Sequence, residues 1–252
     1  MKIYQTRKAG RLRRCVIYPK PSRQDRKTRS PRARISSKAQ EKLNLKRSFE
    51  QLEELIYLNF PEGFWWVTLT YDDEHLPESR ERANYLCSNR YLGKLRRQWR
   101  RKGAELRRIT ATQQVQTDGS LRLHHHLILS RCDKDDFDAI VSLWGMGHVK
   151  AEWLTADDQY ADKALYMTHE PRDHGKPKKG EKAWSASRNL LRPEVEEMEV
   201  PDEVTLDPPY GAEVLERDSI RNEWGEYSYL KYRLPRPSGP GPDFSLGGGI
   251  NV

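Results

Sequence analysis

Two histidines at alternate positions of a strand-like segment are the residues best suited to chemistry. The segment LRLHHHLIL predicts a strand over 121–129, in which His124 and His126 share one face and His125 lies on the other. Neutral imidazoles at this spacing form a clamp that suits Mn²⁺ and other transition metals, and Mg²⁺ where oxygen ligands and waters complete the coordination shell. The alternative is a histidine-rich strand whose rings bond water or neighbouring groups.

The surrounding elements must position this pair. FWWVTLTY predicts a strand over 64–71, and strands over 106–116 and 121–129 are joined by QTDGS, in which Asp118-Gly119 is a strong hairpin signal. The other predicted elements are a helix over 48–58, a helix over 84–102, a helix from Asp135 or Asp136 to Gly145, a strand over 148–154 and a helix from Asp157 or Asp158 to Pro171. This order predicts an α+β domain with an antiparallel sheet that helices cover on one side.

Three segments in this order resemble the HUH endonuclease superfamily, and within it the replication initiators of filamentous phages, small single-stranded DNA phages and related plasmids. FWWVTLTY is similar to the first motif, LHHHLIL to the His-hydrophobe-His metal motif, and YADKALYMTHE at 160–170 to the tyrosine helix. WSASRNL at 184–190 resembles a segment that follows the tyrosine motif in phage-type members. The resemblance covers about residues 60–193 and implies the Rep nuclease fold, a central antiparallel sheet with an RRM-like core.

The resemblance implies a divalent-metal site, holding Mg²⁺ or Mn²⁺, with His124 and His126 as ligands. The family's middle position is usually a plain hydrophobe and is His125 here. A third ligand often comes from the preceding strand, where Gln113 and Gln114 are the candidates. Gln113 is favoured, although one residue of register would exchange the two faces.

The resemblance also implies a tyrosine nucleophile that forms a 5′-phosphotyrosine. Tyr160 has Lys163 three residues on, which fits the family's Tyr-x-x-Lys pattern, whereas Tyr166 keeps the register of the phage-type motif with Glu170 and WSASRNL. Six helical residues place the two tyrosines about 240° apart, so both cannot point into one site. Tyr166 is the favoured nucleophile, and Lys163 can neighbour either tyrosine to position phosphate or stabilise phenolate.

The implied function is initiation of rolling-circle DNA replication, in which the protein nicks single-stranded origin DNA and later rejoins the ends. Host helicase and polymerase would be its partners, because no phosphate-loop motif indicates a helicase domain. The expected location is the cytoplasm of a bacterial host, without membrane association. The alternatives are a relaxase or single-strand transposase of the same superfamily, and a non-catalytic basic nucleic-acid-binding protein.

Several basic residues are candidates for DNA contact. Arg96, Arg97 and Arg100 lie on the exposed face of the predicted helix over 84–102, and Arg188 lies in WSASRNL. Each is also compatible with a merely solvated surface, as are the lysines at 176–182. Three tryptophans can stack on bases or belong to the core: Trp65, Trp66 and Trp184.

The net charge of +8 is unevenly distributed along the chain. Residues 1–47 contain 17 Lys or Arg against Asp25 and Glu41, which predicts a disordered DNA-binding arm or, alternatively, a solubilising tail. The endonuclease domain is then expected over 48–193, an acidic linker and C-terminal extension over 194–236, and a disordered Gly/Pro-rich tail over 237–252. Three cysteines without metal-like spacing indicate no disulfide framework.

Overall fold

The computed structural model describes residues 1–20, 37–115, 121–155, 158–168, 182–222 and 225–236. The chain divides into two compact units, which we call the central unit (residues 59–190) and the terminal unit (residues 1–58 with 191–252). Among the described helices, none combines the length and the apolar character needed to span a bilayer.

The described residues form ten strands and five α-helices, with a π-helical turn at Leu86–Tyr91. In chain order these are β1 (Lys2–Ala9), β2 (Leu12–Pro19), α1 (Ser37–Asn59), β3 (Phe64–Thr70), α2 (Arg80–Tyr85), α3 (Leu92–Arg101), β4 (Arg108–Val115), β5 (Leu121–Leu129), α4 (Asp136–Ser142), β6 (Val149–Leu154), α5 (Asp158–Thr168), β7 (Trp184–Ala186), β8 (Glu194–Val200), β9 (Glu213–Asn222) and β10 (Gly225–Arg233).

The central unit is built on an antiparallel sheet with strand order β6-β3-β5-β4-β7, so that β5 is the middle strand. One face of this sheet buries Val67, Leu127 and Leu129 against apolar residues of α3 and α4. Leu95 and Trp99 of α3 are completely buried in this cluster. The predicted α+β class, with a central antiparallel sheet flanked by helices, is confirmed.

The opposite face of the same sheet carries His124 and His126 and is covered by α5. Tyr160, Ala164 and Met167 are buried, because they form an apolar stripe at helical spacing that needs a surface to pack on. Helices therefore lie on both faces of the sheet, and the prediction of cover on one side was wrong.

The terminal unit contains a second antiparallel sheet, with strand order β8-β1-β2-β10-β9. Its strands β1 and β2 come from the predicted basic arm, and β8 comes from the predicted acidic linker. The two segments pair with each other, and ion pairs of Lys8 with Glu196 and Lys20 with Glu199 join them. Charge that favours disorder in each segment alone is neutralised across the strands, so the structure departs from the prediction for residues 2–19 and 194–200.

Helix α1 also begins within the predicted arm, and it contributes a buried ionic network to the terminal unit. Glu53, which is fully buried, pairs with Arg14 at 3.3 Å and with Lys231 at 3.1 Å, while Glu54 pairs with Arg14 at 2.8 Å. The network ties α1 to β2 and β10. The remaining parts of the predicted arm and tail, residues 21–36 and 237–252, lie outside the described residues.

Candidate metal and tyrosine site

The two histidines predicted to share a face do so at the middle of the central sheet. The ring centroids of His124 and His126 are 4.9 Å apart and the rings are nearly perpendicular. Both side chains are buried, with 4% of their surface exposed. Their position on a strand hydrogen-bonded on both sides makes the pair rigid.

Hydrogen bonds orient both rings in the same sense. His124 donates from Nδ1 to the carbonyl oxygen of Arg122 at 2.9 Å, which leaves the lone pair on Nε2. His126 Nδ1 lies 3.1 Å from Oγ1 of Thr68 on β3. His126 Nε2 is buried and has no hydrogen-bond partner among the described residues. A buried acceptor without a partner is destabilising unless something binds it, and a cation held by Nε2 would do so.

Burial also keeps His126 in the form that binds metals. Loss of solvation lowers the pKa of His126 to about 3, and the neighbouring His124, His125 and Lys163 add to the effect. The imidazole is therefore neutral at physiological pH, and neutral imidazole is the metal-ligating form.

Gln113 faces the histidine pair. It is paired with His124 across β4 and β5, whereas alternation directs Gln114 to the other face. Gln113 is buried, and its Nε2 donates to the carbonyl oxygen of Tyr166 at 2.9 Å. Because that bond uses the amide nitrogen, Oε1 is the atom suited to a cation. The residue thus links the ligand strands to the tyrosine helix.

The two tyrosines of α5 have different environments. The ring of Tyr166 packs edge-on against His126 with centroids 4.8 Å apart, while 46% of its side chain remains exposed. Tyr160 is fully buried, its ring lies 5.1 Å from that of Phe64, and its hydroxyl donates to the carbonyl oxygen of Phe60 at 2.5 Å. Only Tyr166 combines proximity to the histidines with access from solvent.

Trp66 contacts most of the residues that meet at this site. Its ring is stacked on His126 at 5.2 Å and 11°, and it meets Tyr166 edge-on at 6.0 Å. The ammonium of Lys163 lies 4.8 Å from its ring centroid. The sequence weighed Trp66 only for base stacking or core packing. Alternation in FWWVTLTY could have put it on the face of the histidines, had the pairing of β3 with β5 been known.

His125 lies on the opposite face and is held by two hydroxyl groups. Its Nε2 is 2.7 Å from the hydroxyl of Tyr71, and its Nδ1 is 2.8 Å from Oγ1 of Thr112. Because Thr112 donates its own proton to Asn84, it accepts from Nδ1 of His125. The middle histidine is thus a buried structural residue.

The predicted DNA-binding residues do not gather at the histidines. Arg96, Arg97 and Arg100 are exposed on α3, which packs on the face of the sheet opposite the histidine pair. Arg188 is exposed just after β7, where Trp184 pairs with Ala111 in the row of His126. The lysines at 176, 178 and 179 lie outside the described residues.

Another group of potential ligands in the described part of the chain consists of Cys132, Asp133 and Asp136. The carboxylate of Asp136 accepts the backbone N–H groups of Cys132 and Asp133, and Asp133 pairs with Lys102. These contacts fix the start of α4, so this group has a structural explanation.

Residues 64–171 match the family model of replication-associated proteins of the ORF2 and gene II type. The match covers less than half of the chain and extends from β3 through α5, so it includes the histidine pair, Gln113 and both tyrosines. No curated protein and no solved structure matches the chain. The similarity supports a role in DNA replication.

Proposed function

We propose that this protein initiates rolling-circle replication as an HUH-type endonuclease that nicks single-stranded origin DNA and rejoins the ends. The observation that carries the proposal is the solvent-accessible Tyr166 ring against His126, whose Nε2 is buried and without a partner among the described residues. The family match over the same residues supports it.

His124, His126 and Oε1 of Gln113 would hold a divalent cation, either Mg²⁺ or Mn²⁺. When bound, the cation would polarise the scissile phosphate and offset its negative charge. The proteinaceous part of the site needs no rearrangement to present these donors, because hydrogen bonds already fix the two rings and the glutamine.

Tyr166 would be the nucleophile. Its phenolate oxygen attacks the phosphorus of a DNA phosphodiester and forms a bond to the 5′ side, while the bond to the 3′ oxygen breaks. The phenolic proton passes to solvent, and the departing oxygen takes up a proton to become a 3′-hydroxyl that can prime synthesis. Reversal of the same exchange rejoins the ends.

Lys163 would supply positive charge to this step. Its ammonium is held over the Trp66 ring, and Trp66 contacts both His126 and Tyr166. From this position it can favour the phenolate or bind a phosphate oxygen. Arg188, exposed beside β7, is a further candidate for backbone contact with the DNA.

The test is the formation of a covalent adduct between the protein and single-stranded DNA from the cognate replicon in Mn²⁺, detected on a denaturing gel. We expect an adduct with the wild type and with Tyr160→Phe, and none with Tyr166→Phe. Loss only in Tyr160→Phe would reassign the nucleophile. No adduct with any metal or strand would favour a non-catalytic binding protein.

Relaxases and single-strand transposases use the same chemistry on other DNA ends. Origin strands, mobilisation sites and transposon ends offered as competing substrates would distinguish the three functions. A preference for the origin strand is the outcome expected here.

A further inference from the structure

A second basic surface lies on α3 and the π-helical turn before it, away from the histidines. Six exposed basic side chains form this surface, which we call the α3 surface: Arg90, Lys94, Arg96, Arg97, Arg100 and Arg101. None of the six forms an ion pair with any described residue, and no acidic residue occurs between 86 and 102. Only the neighbouring Lys102 is paired, with Asp133.

The backbone that presents these charges is firmly held. Leu92, Leu95 and Trp99 are buried in the core of the central unit, and the indole N–H of Trp99 donates to the carbonyl oxygen of Ser130 at 3.3 Å. The surface is thus a rigid array of charge, unlike a flexible basic tail.

The spacing of the charges fits a polyanion. Lys94, Arg97 and Arg101 follow one another at helical intervals of three and four residues and form a stripe about 10 Å long. Phosphates of one DNA strand advance about 3.4 Å each along a duplex, so the stripe spans roughly three of them.

The position of the surface separates it from the chemistry. α3 packs on one face of the central sheet, whereas His124, His126 and Tyr166 lie on the other. A strand bound at the histidines therefore cannot contact α3 through its adjacent nucleotides. The α3 surface must bind another segment of nucleic acid.

We propose that the α3 surface binds the phosphate backbone of duplex DNA that flanks the nicked strand, an inference that rests on the proposed function. The exposed side of α3 offers Arg, Lys and Gln98 but no aromatic ring on which an unpaired base could stack. Charge alone then favours the nucleic acid with the highest charge density, and duplex DNA has it.

The test measures binding of the full chain to a duplex of unrelated sequence by fluorescence anisotropy over a range of salt concentrations. For the variant Lys94→Glu/Arg97→Glu/Arg101→Glu we expect affinity to fall at least about 100-fold and the slope of log K against log salt to decrease by about 2–3, since each lost phosphate contact removes about 0.9. The milder Arg97→Gln/Arg101→Gln variant should lower the slope by about 2.

The matched control changes the same amount of charge elsewhere, through Lys134→Glu/Arg192→Glu/Arg221→Glu at three exposed positions. An equal loss in the control would overturn the proposal, as would an unchanged slope in both α3 variants. Weakened binding of single strands alone would also overturn it and would assign α3 to the path of the nicked strand.

Adduct formation on a short single-stranded oligonucleotide separates this proposal from the previous one. The α3 variants should form the adduct as the wild type does. If no protein forms an adduct but duplex binding still depends on α3, the proposed nicking function fails and the duplex-binding surface stands.

Discussion

Tyr160 and Tyr166 lie on one helix and differ in the work their hydroxyl groups do. The Tyr160 hydroxyl donates to a backbone carbonyl in the core, whereas Tyr166 projects from the helix beside His126. The same side chain can therefore be structural at one position and chemical at another six residues away. Burial and the hydroxyl's partner decide between the two roles.

Tyr160→Phe is expected to lower the free energy of unfolding by about 1–3 kcal/mol, because the carbonyl of Phe60 loses its buried donor. Chemical denaturation of wild type and variant measures the difference. An unchanged midpoint would mean that this carbonyl is satisfied in another way. Tyr166→Phe serves as the control, since its exposed ring should contribute little to stability.

Trp66→Leu should weaken the metal site without unfolding the protein. The substitution removes the ring stacked on His126 and the surface beneath the Lys163 ammonium. Partners that orient a ligand typically change metal affinity about 10–100-fold, so the rise in melting temperature on adding Mn²⁺ should shrink. Trp65→Leu, on the opposite face beside Trp153, is the matched control. Equal Mn²⁺ responses in the two variants would contradict this role.

Direct loss of a ligand should have a larger effect on the same response. In His126→Ala the expected result is no stabilisation by Mn²⁺, while His125→Ala should lower the melting temperature and keep the response, because His125 bonds only Tyr71 and Thr112 on the other face. Retained stabilisation in His126→Ala would remove His126 from the proposed ligand set.

The placement of individual residues was predictable where strand periodicity decides it. Alternation correctly separated His124 and His126 from His125, and the register favoured Gln113 over Gln114. Trp66 was not predictable in the same way, because its contacts depend on how β3 pairs with β5 and where α5 docks. Those are tertiary facts that no local pattern carries.

At the scale of elements, the central sheet depends on a close approach of the β6 entrance to β3. Gly147 has a φ of +139°, and a Cβ there would collide with the backbone at Thr70 and Tyr71. The backbone N–H of Thr70 bonds the carbonyl of His148 at 3.0 Å, which shows how tightly this junction is closed. The junction lies in the strand that supplies Thr68 to His126.

Gly147→Ala should therefore destabilise the central unit more than Gly145→Ala does. Both glycines have positive φ, but a Cβ at Gly145 meets no atom within 4 Å. The strained conformation alone is worth about 1–3 kcal/mol, and only Gly147 adds a backbone collision. Melting temperatures of the two variants give the comparison, and equal losses would show that the collision is relieved by a small shift.

Elements with clear periodicity matched the structure closely. The strands over 64–70 and 121–129 and the start of α5 agree with prediction, and the predicted helix over 84–102 is resolved into α2, a π-helical turn and α3. The strands of the terminal unit were missed, since β1 and β8 read separately as a basic arm and an acidic linker. Their stability comes from each other.

For the whole molecule, the terminal unit shows how oppositely charged segments distant in sequence become one sheet. Its interior contains the carboxylates of Glu53 and Glu54 surrounded by Arg14 and Lys231, all buried. Such a network specifies one arrangement of α1 on the strands, because any other would leave charges buried without partners.

Glu53→Gln should lower the free energy of unfolding of the terminal unit by about 3–5 kcal/mol, because it leaves Arg14 and Lys231 with less compensating charge. Glu50→Gln is the control, since Glu50 is partly exposed and lies 3.7 Å from Arg14. Hydrogen exchange of the β2 and β10 amides would report the change locally. Equal effects of the two substitutions would mean that burial does not set the strength of the network.

The strand order of the terminal unit has a consequence for synthesis on the ribosome. β2 pairs with β1 on one side and β10 on the other, yet about 200 residues separate β2 from β10, including all five strands of the central sheet. At about 5–20 residues per second, the second edge of β2 waits roughly 10–40 s for its partner. During that interval the nascent chain exposes an open strand edge, where a chaperone or another chain can bind.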